Sequence, residues 1–381
     1  MKITVESAAT AEDLARQLNA GPYDFVSVHN NHEAKPAALQ GLSNLPRLHG
    51  ATSCLGAMTQ AGMVEGLSAF AIKDPVGAYG TALASLEDDP RAAARDATNR
   101  ALMDADRIGE RPEIIWVSAT PGTEEDVLAG IEDVTGPEVP IIGGSAADNS
   151  VAGDWYVFDQ AEKCSAGVVV SVLFPSQPVS FAYQNGYSPS QHSGLVTRAT
   201  DRTIHEIDGR PALDVYGEWT GGAISIDKSE ESVQTILSES TLWPLGREIS
   251  QVGQVPFYLL AHPAYADQSG DLQLFATVAE GEELTLMNGT VEGLIERAGR
   301  VAALARASGR TTDKPIDGAL MIYCGGCMLS VRDQMPEVVA GVNAALGDAP
   351  FLGAFTFGEQ GSLLRAGNRH GNLMISCIVF G

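Results

Sequence analysis

Basic residues are scarce in this sequence. Lysine and arginine together number 24 against 48 aspartates and glutamates in 381 residues, which gives a formal net charge of −24. A protein that binds a nucleic acid backbone needs the opposite balance, and so does one that docks on an anionic membrane surface. The charge therefore predicts neither nucleic acid nor membrane as a partner, and it says little about the fold.

Cysteines, aromatic residues and long apolar runs are also few. Five cysteines, an odd number, do not suit a disulfide framework. The N-terminus has no basic start before an apolar stretch, and no uncharged run approaches the roughly 18 residues of a membrane span. Aromatic residues make up only 6%, but a hydrophobic content of 44% suffices for a large core. We therefore expect a soluble, reduced, cytoplasmic protein.

Apolar spacing and capping residues predict several helices. Asp89-Pro90 places a capping carboxylate before a first-turn proline, and a longer helix is expected from Thr290 to about Ser308. Short β-branched runs such as Ile114-Ile115-Trp116-Val117 lie between the helices and predict strands.

The alternation of these elements predicts an α/β fold of duplicated helix-strand-helix-strand units, arranged in two sheet-containing domains. Two stretches, about 153–200 and about 205–280, are richer in strand-like runs and turn residues. Mixed or antiparallel sheet is therefore expected in the middle of the chain.

A proline–apolar–glycine turn occurs three times and indicates an ancient duplication. The copies are Pro46-Arg47-Leu48-His49-Gly50, Pro140-Ile141-Ile142-Gly143-Gly144 and Pro350-Phe351-Leu352-Gly353. Each proline opens a strand, where its missing N–H costs least. Each glycine permits a tight turn or a close approach of the backbone to a ligand, and small, hydroxylated residues follow it. A strand end that needs a positive φ is the alternative interpretation of each glycine.

These turns and their neighbours resemble motifs of the FIST family. The segment 350–359 is similar to the Pro-x-x-Gly-x-x-Thr-x-Gly-Glu signature of the FIST C-terminal domain, while 320–324 and 370–372 resemble its cysteine strand and its His/Asn ending. The motifs that resemble the FIST N-terminal domain are residues 50–56, 140–148 and 185–189. The resemblance implies a FIST N-terminal-like domain over 1–218 and a FIST C-terminal-like domain over 219–381.

Membership of this family implies a sensory module in signal transduction that binds small ligands such as amino acids. Some members are haem proteins that sense nitric oxide and control a histidine kinase, so haem is an implied cofactor in that alternative. The expected partners are a small-molecule ligand, a signalling protein such as a histidine kinase or cyclase, and a second copy of the chain in a homodimer. The sequence departs from the family pattern at His49 and at Cys327, and Arg332 follows about one helical turn later.

Cys324-Gly325-Gly326-Cys327 is a Cys-x-x-Cys motif at a predicted strand-to-helix junction. A thiol at a helix N-terminus has a lowered pKa, which suits thiol–disulfide chemistry. A zinc site would need two further ligands, for which His370 and Cys377 are the nearest candidates. A glycine-rich turn that buries Cys324 as a small apolar residue is the third interpretation.

The seven histidines are scattered, and no His-x-x-x-His spacing occurs. A haem needs one protein nitrogen and an apolar pocket. His370 and His49 flank the repeated turns and are therefore the candidate haem or metal ligands. Ordinary hydrogen-bonded histidines are the alternative for both.

Carboxylates on the loops after the turns could hold the ammonium group of an amino acid. The backbone N–H groups of the turns could hold the carboxylate of the same amino acid. Capping of the next element is the alternative role for these side chains. No nucleophile elbow, P-loop or dinucleotide fingerprint occurs, so we expect a non-enzymatic protein. The predicted ligand-binding residues are Thr52, Ser53, Gly144, Ser145, Asp148, Asn149, Cys324, Arg332, Thr356 and Glu359.

Overall fold

Three structurally similar units follow one another along the chain. The computed structural model describes residues 1–18, 21–33, 41–227, 229, 232–309, 315–363 and 366–381. The first unit consists of β1 (Lys2–Ala8), α1 (Ala11–Leu18), β2 (Phe25–Asn30), β3 (Leu48–Thr52), β4 (Ala57–Thr59), β5 (Gly62–Val64) and β6 (Leu67–Lys73). The second consists of β7 (Ala78–Ser85), α2 (Pro90–Asp104), β8 (Ile114–Ala119), α3 (Glu124–Thr135), β9 (Ile141–Ser145), β10 (Val157–Phe158), β11 (Lys163–Cys164) and β12 (Gly167–Phe174).

The third unit starts with β13 (Val179–Gln184) and is then interrupted by an inserted domain. The insert contains β14 (Ser188–Thr200), β15 (Thr203–Ile207), β16 (Arg210–Pro211), α4 (Ala212–Trp219), β17 (Gln234–Thr235), α5 (Leu237–Ser240), β18 (Leu245–Val252), β19 (Val255–Ala261), β20 (Pro263–Ala266), β21 (Leu272–Leu274) and β22 (Glu283–Asn288). The unit resumes with α6 (Val291–Ala307), β23 (Gly318–Cys324), α7 (Gly325–Ser330), α8 (Met335–Leu346), β24 (Phe351–Thr356), β25 (Glu359–Leu363), β26 (Gly367–Gly371) and β27 (Ile375–Phe380).

Each unit forms a sheet with the same strand arrangement. The orders are β1-β6-β2-β3-β10-β11, β7-β12-β8-β9-β25-β26 and β13-β27-β23-β24-β4-β5. In every sheet the third and fourth strands are parallel. These two strands follow each other in the unit and are joined by its crossover connection. The remaining pairs are antiparallel. This repetition confirms the duplicated α/β units expected from the three turns.

The last two strands of each sheet are a hairpin that another unit supplies. The hairpin β4–β5 of the first unit pairs with β24 of the third, and β10–β11 of the second pairs with β3 of the first. The hairpin β25–β26 of the third unit pairs with β9 of the second. This cyclic exchange joins the three units into one body, because each sheet is completed by its neighbour.

The inward faces of the three sheets share an apolar core. Phe25 from the first sheet, Trp116 and Ile142 from the second, and Ile322 and Phe380 from the third pack in one cluster. Successive side chains of a strand alternate between its faces, so the next residue along each strand points outward. Helix α1 covers the outer face of the first sheet, α2 and α3 that of the second, and α6 and α8 that of the third.

The predicted helices and the strand-rich middle are confirmed. Asp89 caps α2 by accepting from the Ala92 N–H (2.9 Å), and Thr290 caps α6 by accepting from the Gly293 N–H (3.0 Å). The insert is a nine-stranded sheet whose strands pair antiparallel. Over the described residues, no helix combines the length and the apolar character needed to cross a membrane. The five cysteines are all free thiols.

The repeated glycines are needed because other strands approach them closely. None of Gly50, Gly143 and Gly353 has a positive φ, so the alternative interpretation of these glycines does not apply. A side chain at Gly50 would overlap the ring of Phe158, and one at Gly353 would overlap the side chain of Met58. Both neighbours belong to exchanged hairpins. The glycines therefore make room for protein atoms.

We expect Gly143→Ala to destabilise the protein more than Gly353→Ala. The added methyl group at position 143 would overlap the backbone carbonyl of Val117, which cannot move away, whereas Met58 can change rotamer. Overpacking costs about 1–3 kcal/mol, and Gly143→Ala should lie at the upper end. Urea unfolding of the two variants measures the difference. Equal losses of unfolding free energy would contradict this account of the strand contact.

Candidate functional site

The three repeated turns meet where β3, β9 and β24 end. The Ser145 N–H donates to the Gly358 carbonyl (2.7 Å), and the Phe357 N–H donates to the Ser145 carbonyl (3.2 Å), which ties the second turn to the third. The Ala147 N–H donates to the Thr52 carbonyl (3.1 Å), which ties the second turn to the first. These N–H groups, which could have held a ligand carboxylate, thus bond to neighbouring turns.

The hydroxylated residues of the turns hold backbone groups in the same way. Ser53 Oγ accepts from the Phe355 N–H (2.8 Å), and Thr52 Oγ1 accepts from a backbone N–H of the loop after β9 (3.1 Å). Gly144 has no room for a side chain because Thr356 packs against it. The structure therefore brings these predicted site residues together as a buried junction of the three units.

Asp148 and Asn149 fix the loop that follows β9. The Asp148 carboxylate accepts hydrogen bonds from the five consecutive N–H groups of residues 150–154. Burial by itself would raise the pKa of Asp148, but these N–H groups hold it below its usual value. The Asn149 side chain accepts from the Leu55 N–H (2.8 Å) and joins the loop to the first turn. Asp148 thus caps its own loop, the alternative that the sequence left open.

Glu359, the first residue of β25, is a buried acid at the same junction. Its carboxyl group accepts from the Thr356 hydroxyl (2.9 Å) and from the Met374 N–H (2.9 Å). Burial raises the pKa of Glu359 well above its usual value, which favours the neutral acid. Leu373 has a φ of 56°, and its carbonyl accepts from Arg297 (3.0 Å). The peptide group between Leu373 and Met374, next to this strained residue, therefore donates its N–H to Glu359 and accepts from Arg297 through its carbonyl.

A buried group that we call the thiol cluster lies between α6 and the third sheet. It consists of Cys324, Cys327, Arg297, Tyr187 and Tyr323. The two thiols are three residues apart in the sequence, and the Tyr187 hydroxyl, which donates to the Thr241 carbonyl (2.8 Å), lies 3.5 Å from Cys327 Sγ. The Arg297 guanidinium lies 5.6 Å from the Tyr187 ring centre and 5.2 Å from that of Tyr323. These distances are typical of cation–π contacts.

Charges inside the thiol cluster compensate each other. Burial by itself would raise the pKa of Cys327, but the neighbouring Cys324 thiol, the Arg297 charge and Tyr187 together lower it to about 6. The neighbouring Cys327 thiol and burial raise the pKa of Cys324. Arg297 is 2% exposed, and its Nε and Nη2 have no hydrogen-bond partner among the described residues. The lowered pKa favours the thiolate form of Cys327 beside the Arg297 guanidinium.

Arg297 was not singled out by the sequence motifs, although a signal for it exists. Leu294, Ala298 and Val301 form the buried face of α6, and Arg297 lies on that same face. A charged residue inside an apolar helical stripe must be paired or must hold a ligand, since an isolated buried charge is very costly. Such a residue is a candidate for a functional group.

A cleft of about 710 Å³ opens between the body and the inserted domain. Helix α3 and strand β26 supply one wall, and β18, β19 and β22 supply the other. Its charged lining comprises Glu125, Glu132, Arg247, Glu248, Glu282, Glu283, Arg369 and His370. Five carboxylates against two arginines make this lining mainly acidic. The volume suits a small-molecule ligand.

Arg247 and Glu282 face each other in the cleft without a hydrogen bond. Arg247 Nη1 lies 3.6 Å from Glu282 Oε2. In the part of the chain that the structure describes, neither Arg247 Nε nor Glu282 Oε2 has a hydrogen-bond partner, although both atoms are buried. Arg247 Nη1 also donates to the Thr277 carbonyl (2.9 Å), so the two side chains form an ion pair in which Arg247 Nε and Glu282 Oε2 still lack the hydrogen bonds that buried polar atoms usually make.

A buried ion-pair network forms the base of the cleft. Arg202 of the inserted domain donates to Glu124 (2.7 Å) and to Glu125 (2.6 Å) of α3. Glu124 accepts from the Ser145 hydroxyl (2.8 Å) of the second turn. Burial by itself would raise the pKa of Glu125, but His370 and Arg202 lower it to about 2. The network connects the inserted domain, the cleft and the junction of the turns.

The two candidate haem ligands do not fit haem. His49 is enclosed in the core, with its ring nitrogens 2.8 Å from Ser171 Oγ and 2.9 Å from Ser118 Oγ. Burial lowers the pKa of His49 well below its usual value, and both nitrogens are engaged. His370 is also hydrogen-bonded at both nitrogens, and the acidic cleft beside it would repel haem propionates. The sequence left the hydrogen-bonded alternative open for both residues.

The other predicted ligand groups lie apart from the cleft. Arg332 is exposed in the segment after α7. Cys324 and Cys327 are buried beside Arg297, whose positive charge opposes a metal cation there. Within the described ranges, no three His, Cys, Asp or Glu side chains are grouped as a metal site. Of the predicted residues, His370 lines the cleft directly, and Ser145 bonds to the network at its base.

Solved structures and curated proteins offer distant similarities. Cyanuric acid hydrolase from A. caulinodans aligns over 99% of this chain and 98% of its own, at 10% identity and a TM-score of 0.36. PurLQS from Thermotoga maritima aligns over 80% of this chain and 72% of its own, at 7% identity and a TM-score of 0.23. An uncharacterized protein of Methanocaldococcus jannaschii is 32% identical over 98 residues, 25% of this chain and 18% of that protein's length.

Family models match most of the chain. The FIST N domain matches residues 25–210 and the FIST C domain matches residues 212–362. The predicted domain boundary between residues 218 and 219 stays a prediction. FIST domains are small-ligand-binding signalling domains. The chain belongs to the FIST family.

Proposed function

We propose that this FIST protein is a non-enzymatic cytoplasmic sensor that binds an amino-acid-like ligand in the cleft between the body and the inserted domain. The observation that carries the proposal is the ion pair of Arg247 and Glu282 in a cleft of about 710 Å³, in which Arg247 Nε and Glu282 Oε2 are buried without a hydrogen-bond partner among the described residues. An amino acid carries the two complementary charges on adjacent groups.

The chemistry of the lining supports a zwitterionic ligand with an additional amino group. Arg247 would bind the ligand carboxylate, since a guanidinium matches a carboxylate with paired hydrogen bonds. Glu282 would accept the α-ammonium group. The surplus of carboxylates, including Glu248 and Glu283, favours a second amino group such as that of lysine.

Transmission of the signal follows from the position of the cleft. A ligand there contacts both the inserted domain and the body, so it stabilises one arrangement of the two over others. The ion pairs of Arg202 with Glu124 and Glu125 join the same two parts beneath the cleft. A histidine kinase or cyclase that recognises one of these arrangements would then respond to ligand binding.

A non-enzymatic role is supported by the state of the groups in the cleft. Catalysis by a general base needs a group within reach of the substrate and free to take a proton. His370 is engaged at both ring nitrogens, and Glu125 is held by Arg202 and by the Thr277 N–H (3.0 Å). These groups are committed to structural contacts.

We expect Arg247→Gln to weaken ligand binding about tenfold or more. A charge-assisted hydrogen bond contributes ~1.5–3 kcal/mol, and 1.4 kcal/mol corresponds to a factor of ten in affinity. Calorimetric titration with a panel of lysine, arginine, glutamate and alanine measures the effect. The panel also tests the preference for a second amino group.

Arg300→Gln is the matched control for this experiment. Arg300 is an exposed arginine on α6 that pairs with Glu296 one turn away. The control should bind as the unaltered protein does. Equal affinity in all three proteins would exclude Arg247 as the carboxylate ligand, and no saturable heat with any amino acid would remove the proposed ligand class.

A further inference from the structure

We propose that Cys324 and Cys327 are a peroxide-sensitive thiol pair, with Cys327 as the attacking thiolate, Cys324 as the resolving thiol and Arg297 as a positioning residue. The proposal does not depend on the ligand cleft. It rests on the two buried thiols on either side of a Gly-Gly pair, the Tyr187 hydroxyl 3.5 Å from Cys327 Sγ, and the buried guanidinium with unpartnered nitrogens.

The buried arginine is the observation that distinguishes this pair from inert core thiols. A guanidinium that is 2% exposed needs a counter-charge, and burial raises the pKa of the nearby acid Glu359 well above its usual value. The counter-charge of Arg297 is therefore assigned to Cys327, whose pKa is lowered. Structural thiols in apolar surroundings are neutral and unreactive, whereas an electropositive environment produces a thiolate.

The local backbone suits a disulfide between the two thiols. Cys324 ends β23 and Cys327 lies in the first turn of α7, three residues further on. The intervening residues are Gly325 and Gly326. A side chain at Gly326 would lie 3.8 Å from Cys324 Sγ, within ordinary van der Waals contact of this thiol. Two glycines also allow the small backbone adjustment that S–S bond formation requires.

A hydroperoxide is the oxidant that the arrangement suits, because hydrogen peroxide is small enough to reach a nearly closed site. The Cys327 thiolate attacks one peroxide oxygen, the O–O bond breaks, and the leaving hydroxide takes a proton to become water. Cys327 is then a sulfenic acid. The Cys324 thiol attacks the Cys327 sulfur, the S–OH bond breaks, and the hydroxyl group leaves with the thiol proton as a second water. Two thiols and one peroxide thus give one disulfide and two waters.

Oxidation changes the charge balance of the core. A disulfide is neutral, so Arg297 loses the thiolate that compensates it. Glu359 lies within electrostatic reach of both Arg297 and Cys327, so loss of the thiolate charge removes one cause that raises the pKa of this acid. Oxidation therefore changes the electrostatic balance of the buried junction, which is the basis of a redox switch.

The test uses the full chain, reduced and then exposed to stoichiometric hydrogen peroxide. Free thiols are alkylated after denaturation, and peptide mass spectrometry reads the segment that contains Cys324 and Cys327. We expect this segment to lose two hydrogens and to resist alkylation. In Cys324→Ser, dimedone should trap a sulfenic acid at Cys327. Cys164→Ser is the control, since Cys164 is the half-buried thiol on β11.

A rate comparison isolates the contribution of Arg297. Arg297→Met should slow oxidation at pH 7 by about tenfold or more, because Cys327 then returns toward the ordinary thiol pKa, while Arg297→Lys should slow it less. If Arg297→Met does not fold, the pH dependence of the unaltered protein tests the proposal. Its oxidation rate should increase as the pH is raised through about 6. Two unoxidised, fully alkylatable thiols at 324 and 327, with Cys164 oxidised, would overturn the proposal.

Discussion

Arg297→Met is expected to lower the free energy of unfolding by about 3 kcal/mol at neutral pH. Removing one partner of a buried ion pair costs about 3–5 kcal/mol, and the lower end applies because the Cys327 thiolate can take up a proton. The variant also leaves the Leu373 carbonyl without the Arg297 hydrogen bond in a fully buried strained turn. Urea unfolding measures the loss, and ultraviolet thiolate absorbance measures the titration of Cys327.

The pH dependence separates the charge of Arg297 from its packing. The pKa of Cys327 is lowered from 9.0 to about 6, so the stabilisation that it contributes is fully present above pH 9 and is lost as the pH falls through 6. The deficit of Arg297→Met should therefore grow from pH 6 to pH 9. Arg297→Lys keeps a cation and should show a smaller, flatter deficit. A deficit that does not change with pH would mean that Arg297 acts through packing alone.

Arg202→Met is expected to cost a similar amount, about 3–5 kcal/mol at neutral pH, because it removes the guanidinium that pairs with the buried Glu124 and its neighbour Glu125. The substitution should also loosen the inserted domain, since Arg202 bonds the Phe275 carbonyl (3.0 Å) from within it. Urea unfolding measures the stability, and hydrogen exchange over β14 to β22 measures the loosening.

Acid should reduce the deficit of Arg202→Met. The pKa of Glu125 is lowered from 4.5 to about 2 in the unaltered protein, so the stabilisation from this carboxylate is present above pH 4.5 and is lost as the pH falls toward 2. Without Arg202, the pKa of both glutamates is higher than in the unaltered protein, and they take up protons at a higher pH. Arg91→Met, which removes an exposed pair with Asp133 (2.8 Å), is the matched control and should change stability little at any pH.

Much of the fold could be predicted from local patterns. The caps at Asp89 and Thr290 set the starts of α2 and α6 because a side-chain oxygen satisfies a free N–H group there. The three proline–glycine turns indicated the repeated units, since each marks the same strand end. The exchange of hairpins could not be predicted, because strands such as β10 (Val157–Phe158) are two residues long and carry no periodic signal.

The site was harder to predict because its parts are far apart in the sequence. The turn residues could be identified from the sequence. The Asp148 carboxylate, however, accepts hydrogen bonds from N–H groups of its own loop, and this backbone geometry is not encoded in any residue pattern. Arg247 and His370 meet in the cleft only because an inserted domain folds over the hairpin β25–β26. Arg297 could have been recognised as a charge on the apolar stripe of α6.

Native mass spectrometry of freshly purified protein tests the ligand-sensor account most directly. The measurement compares native and denatured masses of the unaltered protein, of Arg247→Gln and of the Arg300→Gln control, before and after addition of lysine. The account predicts one small amino compound per chain in the unaltered protein and in the control, lost on denaturation and strongly reduced in Arg247→Gln. A ligand-free mass in all three proteins at saturating lysine, or equal occupancy in all three, would contradict it.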